Sequence, residues 1–117
     1  LDLFALRYAI RLSGVNKIFI NKADICLSEK VKVVTGYKNS NKIFEEFPLR
    51  LDDVTNVITD EIPGWGDKNF GVNSKEKASK ELSSYLEYIK NKLLDLEVSI
   101  VSVGTGPARE HTFNWDK

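Results

Sequence analysis

Apolar residues crowd the first dozen positions of the chain. Leu1, Leu3, Phe4, Ala5, Leu6, Tyr8, Ala9, Ile10 and Leu12 leave only Asp2, Arg7 and Arg11 charged. A stretch that is apolar on nearly every side predicts a buried helix. Such a helix at the very start predicts that the chain is a piece of something larger. Ser13-Gly14 ends it, because glycine can take the left-handed cap conformation. The run Val15-Asn16-Lys17-Ile18-Phe19-Ile20 follows at once and reads as a strand. Residues 31–37 (Val31-Lys32-Val33-Val34-Thr35-Gly36-Tyr37) are rich in β-branched side chains and predict a second strand. A polar turn at Asn39-Ser40-Asn41 leads to a third run from Lys42 to Phe47, so the pair reads as a hairpin, ended by Pro48. Leu49 to Gly71 reads as irregular, with room for one short strand near Val57 to Ile62 and a turn at Pro63-Gly64-Trp65-Gly66.

The second half is better patterned. Ser74 and Lys75 to Lys77 lead into Ala78, Leu82, Tyr85, Leu86, Ile89 and Leu93, one stripe of an amphipathic helix of about five turns. Lysines and glutamates occupy the opposite face. The helix runs into Val98-Ser99-Ile100-Val101-Ser102-Val103, a short apolar strand, and then into the loop Gly104-Thr105-Gly106-Pro107. Two helix-to-strand units therefore each end in a polar or glycine-bearing loop, which points to an α/β fold. If their strands are parallel neighbours, both loops emerge at the same carboxyl edge, where open α/β sheets bind their ligands.

Composition narrows the class without choosing a function. At 117 residues, 42% hydrophobic and 29% charged, the chain is at most one small globular domain. Seventeen basic and seventeen acidic residues cancel, so no global field favours nucleic acid or an anionic membrane. The lone Cys26, set between Ile25 and Leu27, has no internal disulfide partner and is expected to be buried and inert. No apolar run approaches the roughly 20 residues needed to span a bilayer, and no signal peptide is visible. The single histidine, His111, is expected at the surface.

The candidate chemistry lies in Asn21-Lys22-Ala23-Asp24, directly after the first strand. Guanine presents N1–H and N2–H₂ side by side, and one ionised carboxylate can accept from both. Adenine offers no such donor pair. A site built around a paired hydrogen bond rejects the analogue that lacks it by roughly 10⁴ to 10⁵. The lysine two residues before the aspartate can lay its methylene stem along the base with its ammonium in water. The glycine loop after Val98 to Val103 could offer backbone N–H groups to guanine O6, since glycine lets backbone approach closely. A Lys-x-Asp sequence on a solvated loop is also common, so the tetrapeptide by itself leaves both readings open.

Taken together, the motifs resemble the C-terminal region of the adenylosuccinate synthetase family. The resemblance rests on the opening Leu-Asp-Leu-x-Ala-Leu-Arg-Tyr-Ala-Ile, the Lys22-Ala23-Asp24 loop, and Val31-Lys32-Val33 with Tyr37. Pro63-Gly64-Trp65, the helix around Tyr85 to Ile89, and Val98 to Gly104 with Arg109-Glu110 complete it, in the family's order. It implies that residues 1–117 are the C-terminal portion of a larger mixed-sheet α/β enzyme, contributing two helix-strand units plus a β-hairpin. It further implies a cytoplasmic homodimer that joins IMP to L-aspartate using GTP and Mg²⁺, giving adenylosuccinate, GDP and phosphate. In this family, the 6-oxygen of IMP is phosphorylated and the aspartate amine then displaces the phosphate. The guanine base would be held by Lys22, Ala23 and Asp24 together with Ser102, Val103 and Gly104. The second loop is about two residues longer than the family's usual form, so its contacts could instead fall on Thr105 and Gly106. An unchanged strand register favours Ser102 and Gly104.

The family's Gly-Asp-Glu-Gly-Lys-Gly-Lys segment, its catalytic histidine and its aspartate-binding arginine loop have no counterpart here. No catalytic residue or magnesium ligand is therefore expected among these 117 residues, and alone they are expected to be inactive. Two other classes are open to the same residues. A regulatory GTPase also uses Asn-Lys-x-Asp, but would need Gly-x-x-x-x-Gly-Lys-Ser/Thr, which is missing. A non-catalytic interaction module would present Trp65, Phe70 and Trp115 as a sticky surface.

Overall fold

The computed structural model describes residues 1–24, 26 and 29–116. It is a mixed α/β structure with two α-helices and two small sheets, divided into two compact units. Among the described residues, no helix is long and apolar enough to cross a membrane.

The first unit comprises residues 1–14 and 32–62. Helix α1 (Leu3–Ser13) opens on Asp2, whose Oδ1 accepts the Ala5 N–H at 2.9 Å and so satisfies one of the orphan donors of the first turn. It closes on Gly14 at φ 72°, whose N–H reaches Ile10 O. Burial corrects the expectation of an all-round covered helix. Leu3 and Ile10 are buried, whereas Leu12 is 75% exposed and Tyr8 is 39% exposed. Strand β2 (Lys30–Asn39), which begins just outside this unit, pairs antiparallel with the two-residue β3 (Lys42–Ile43), as the hairpin pattern predicts. The third run is shorter than expected, because Phe44 to Phe47 leave the ladder and Phe47 stacks on Tyr8 at 4.6 Å. Phe4 and Tyr37 join the same aromatic cluster, their centroids 4.9 Å apart. The short strand foreseen near Val57 is the eight-residue β4 (Asn56–Pro63), on the other side of β2.

The second unit comprises residues 15–31 and 63–117. Its core is the apolar stripe of α2 (Lys80–Lys92), where Leu82, Tyr85, Leu86 and Ile89 are buried. The helix starts later than the periodicity suggests. Lys75–Lys77 form a 3₁₀ turn, and Ser79 is the N-cap, its Oγ accepting Leu82 N–H at 3.2 Å. The fully buried Asn69 fixes that start: its Oδ1 accepts the Ser79 N–H, and its Nδ2 donates to Ser79 Oγ, both at 2.8 Å.

Strand β1 (Lys17–Ile20) pairs parallel with β5 (Ser99–Gly104), and β5 pairs antiparallel with β6 (Thr112–Asn114), an element that the sequence pattern does not signal. The register steps between Ile18 and Phe19: Ile18 faces Ile100, but Phe19 faces Ser102, leaving Val101 as the extra residue. This bulge changes the strand's alternation. Ile100 and Val103 are both fully buried, although they lie three apart.

Candidate functional site

The parallel pairing of β1 and β5 sends both loops out of the same edge of the sheet. They meet there. The Ala23 N–H donates to Gly104 O at 2.8 Å, extending the strand pairing by one bond into the loops. Ala23 O accepts the indole N–H of Trp65 at 3.1 Å, and both residues are buried. The middle of the tetrapeptide is thus clamped on both sides of one residue. Lys22, just before the clamp, sits at φ 59°, a left-handed conformation uncommon outside glycine. Such backbone persists only where its surroundings over-determine it, and it clusters at functional sites.

The two loops bound a crevice of about 820 Å³, lined by Asn21, Lys22 and Asp24 on one side and by Gly104, Gly106, Pro107 and Thr112 on the other. Asp24 is half-buried and Lys22 is exposed. A carboxylate and a lysine therefore face a glycine-bearing backbone, the donor and acceptor complementarity expected of the two loops. The loops approach closely at Gly104, where a Cβ would stand 3.3 Å from Asn21 Oδ1.

The six residues singled out from the sequence are placed unevenly. Lys22, Asp24 and Gly104 line the crevice, and Ala23 anchors its floor through the backbone. Ser102 and Val103 are not among the lining residues. Val103 is fully buried and Ser102 is half-buried on β5, opposite Asn114. The register shift falls before Ser102, and from Ser102 to Gly104 the strand keeps an unbroken pairing with Asn114, Phe113 and Thr112. The loop residues that line the crevice are Gly104, Gly106 and Pro107. Between them Thr105 is fully buried and committed to the fold: its N–H donates to His111 O at 2.8 Å and its hydroxyl to Val72 O at 2.5 Å.

Other assignments also change. His111 is half-buried, and its imidazole packs edge-on to Phe70 with centroids 5.8 Å apart. Trp65 and Trp115 are each 5% exposed and belong to the core, so of the three aromatics only Phe70, 54% exposed, is available to a sticky surface. Cys26 is half-buried and bridges to Gly66, while the flanking Ile25 and Leu27 lie outside the described residues. Nothing local in the sequence marks Trp65 as the clamp on Ala23, since the two lie far apart in the chain. Among the described residues, no three His, Cys, Asp or Glu side chains form a group able to hold a metal ion.

A helix-flanked parallel strand pair, with a loop crevice at its carboxyl edge, defines an α/β protein of the kind that binds small ligands at that edge. Comparison with known proteins gives the family. The adenylosuccinate synthetase family profile matches residues 1–113. The adenylosuccinate synthetase of Caldanaerobacter subterraneus subsp. tengcongensis is 36% identical over 115 residues, 96% of this chain and 26% of that protein. The enzyme of the same name from Parabacteroides distasonis is 34% identical over 113 residues, with the same coverage of 96% and 26%. The fully ligated adenylosuccinate synthetase of Plasmodium falciparum superposes with a TM-score of 0.85 over 99% of this chain and 28% of its own, at 20% identity, which establishes the shared fold. The chain belongs to the adenylosuccinate synthetase family. It spans about a quarter of the length of the curated relatives it matches.

Proposed function

We propose that this chain is the C-terminal, guanine-reading portion of an adenylosuccinate synthetase. The whole enzyme would join IMP to L-aspartate with GTP as phosphate donor and Mg²⁺, giving adenylosuccinate, GDP and phosphate in purine biosynthesis. It would act as a cytoplasmic homodimer. The observation that carries this reading is the meeting of the two loops: Ala23 N–H bonded to Gly104 O, with Asp24 and Gly106 lining one crevice.

Each residue then has a defined task. The Asp24 carboxylate accepts the guanine N1–H and N2–H₂ together, a pairing adenine cannot make. Lys22, exposed at the crevice, lies along the base face through its methylene stem. Ala23 supplies the backbone floor. Gly104, with Gly106 beyond it, lets main-chain N–H groups approach the O6 acceptor, and Ser102 and Val103 deliver that loop from the strand. The chain's own residues bind and select the base. The transfer of the phosphoryl group and the attack of the aspartate amine fall to the remainder of the enzyme, as does any magnesium site.

The test is adenylosuccinate formation by the full-length enzyme, followed by ultraviolet absorbance, with GTP and then ATP as donor. Turnover with GTP alone is the expected result. Equal turnover with ATP removes the base-reading role from these loops, and no turnover with either, by a folded protein, removes the ligase activity.

A further inference from the structure

His111 lies behind the second loop, and its neighbours leave it little freedom. A Cβ at position 106 would stand 2.3 Å from His111 Nδ1, so the imidazole occupies space that any side chain at Gly106 would claim. On the other side, a Cβ at Gly71 would meet Nε2 at 3.5 Å, and Phe70 closes the edge. The ring is thus seated between two glycines. It also bonds to the loop at two points. Nδ1 accepts the Ala108 N–H at 3.4 Å, and the His111 carbonyl accepts the Thr105 N–H at 2.8 Å. Thr105 in turn is tied to the 71–72 segment, its carbonyl accepting the Gly71 N–H at 2.9 Å.

We propose that the His111 imidazole is a positioning residue for base recognition, the strut that holds the Gly104–Ala108 backbone in the shape the guanine crevice requires. This rests on the guanine-reading function proposed above. The physical argument is one of pre-organisation. Of the loop residues that line the crevice, Gly104 and Gly106 have no side chain to pack and brace them. Glycine has the largest conformational freedom of any residue. Binding would have to freeze that freedom unless something already has. Thr105 braces the loop from the core, and His111 fills the space under Gly106. His111 is not among the residues that line the crevice, so its effect on affinity would run through loop shape.

The experiment is GDP titration calorimetry on the full-length protein, with IMP affinity measured in parallel, for His111→Leu, His111→Asn and Asp24→Asn. His111→Leu keeps bulk but removes the acceptor, whereas His111→Asn places an amide oxygen near the Nδ1 position. The expected result is GDP affinity reduced about tenfold in His111→Leu and restored to within about threefold in His111→Asn, with IMP affinity and thermal midpoint held in both. Unchanged GDP affinity in His111→Leu, while Asp24→Asn weakens it, overturns the strut and leaves the guanine reading standing. Parallel losses for GDP and IMP, with a lowered thermal midpoint and no rescue by asparagine, also overturn it, because His111 would then serve folding alone. Unchanged GDP affinity in Asp24→Asn overturns the guanine reading itself and the inference with it.

Discussion

At the scale of single residues, the proposed recognition comes down to one carboxylate and one clamp. Asp24→Asn turns half of a paired acceptor into a donor. It is expected to weaken guanine nucleotide binding in the full-length protein by roughly 2 kcal/mol or more. Titration calorimetry with GDP checks this, and an unchanged dissociation constant removes Asp24 from the site. The clamp makes a different prediction. Trp65→Phe keeps most of the buried ring but loses the N–H that Ala23 O accepts at 3.1 Å. The buried carbonyl then lacks that partner, at a cost of about 1–2 kcal/mol in stability. Because Lys22 and Asp24 flank Ala23, guanine affinity should fall as well, and urea unfolding beside nucleotide titration separates the two effects. Asp24 and Lys22 were legible in the sequence because their chemistry is written in residue types. Trp65 and His111 were not, because each acts through a backbone group distant from it in the chain or across a loop.

Elements are fixed by a few polar contacts at their ends. The Asn69–Ser79 pair decides where α2 begins, overriding a periodicity that would have started the helix several residues earlier. Asn69→Ala would leave the Ser79 N–H without its acceptor inside the protein. It is expected to cost about 2–3 kcal/mol, read as a lowered midpoint of thermal unfolding. In the other unit, Asp2 serves two elements at once: Oδ1 caps α1, and Oδ2 accepts the Tyr37 hydroxyl from β2. Burial, reinforced by the neighbouring Asp2 carboxylate, pushes the Tyr37 phenol up from 10.0 to about 12. The folded state therefore favours the neutral phenol. Its stabilisation is complete below pH 10 and is lost as pH rises from 10 towards about 12. Thermal midpoints over that range should fall more steeply for the natural protein than for Tyr37→Phe, and parallel curves would refute the assignment.

For the whole molecule, the site belongs to one compact unit, residues 15–31 with 63–117, and its two loops leave adjacent parallel strands. The crevice between the loops lies within that unit, but the nucleotide proposed for it also carries ribose and phosphates. The residues described here supply no Gly-x-x-x-x-Gly-Lys cradle and no cluster of metal-ligating side chains. The isolated 117-residue chain is therefore expected to bind GTP only weakly. Micromolar affinity by calorimetry would contradict this and would mean that base contacts alone dominate the binding energy.

The sequence by itself determined the kinds of element and the candidate chemistry, because both are local. A stripe at Leu82, Tyr85, Leu86 and Ile89 has helical spacing wherever it is placed, and β-branched runs around Val33 and Ile100 favour strands in the same way. Gly14 ends a helix by its own conformational freedom. Tertiary structure decided what meets what. The pairing of β1 with β5 joins segments separated by most of the chain, and no local window encodes such a partner. The bulge at Val101, after which Phe19 faces Ser102 and Ile20 faces Val103, arises only when the two strands pair. The same holds for His111, an unremarkable tail residue in the sequence that the fold seats between Gly71 and Gly106. Residue type sets what a group can do. Long-range packing sets which group is in place to do it.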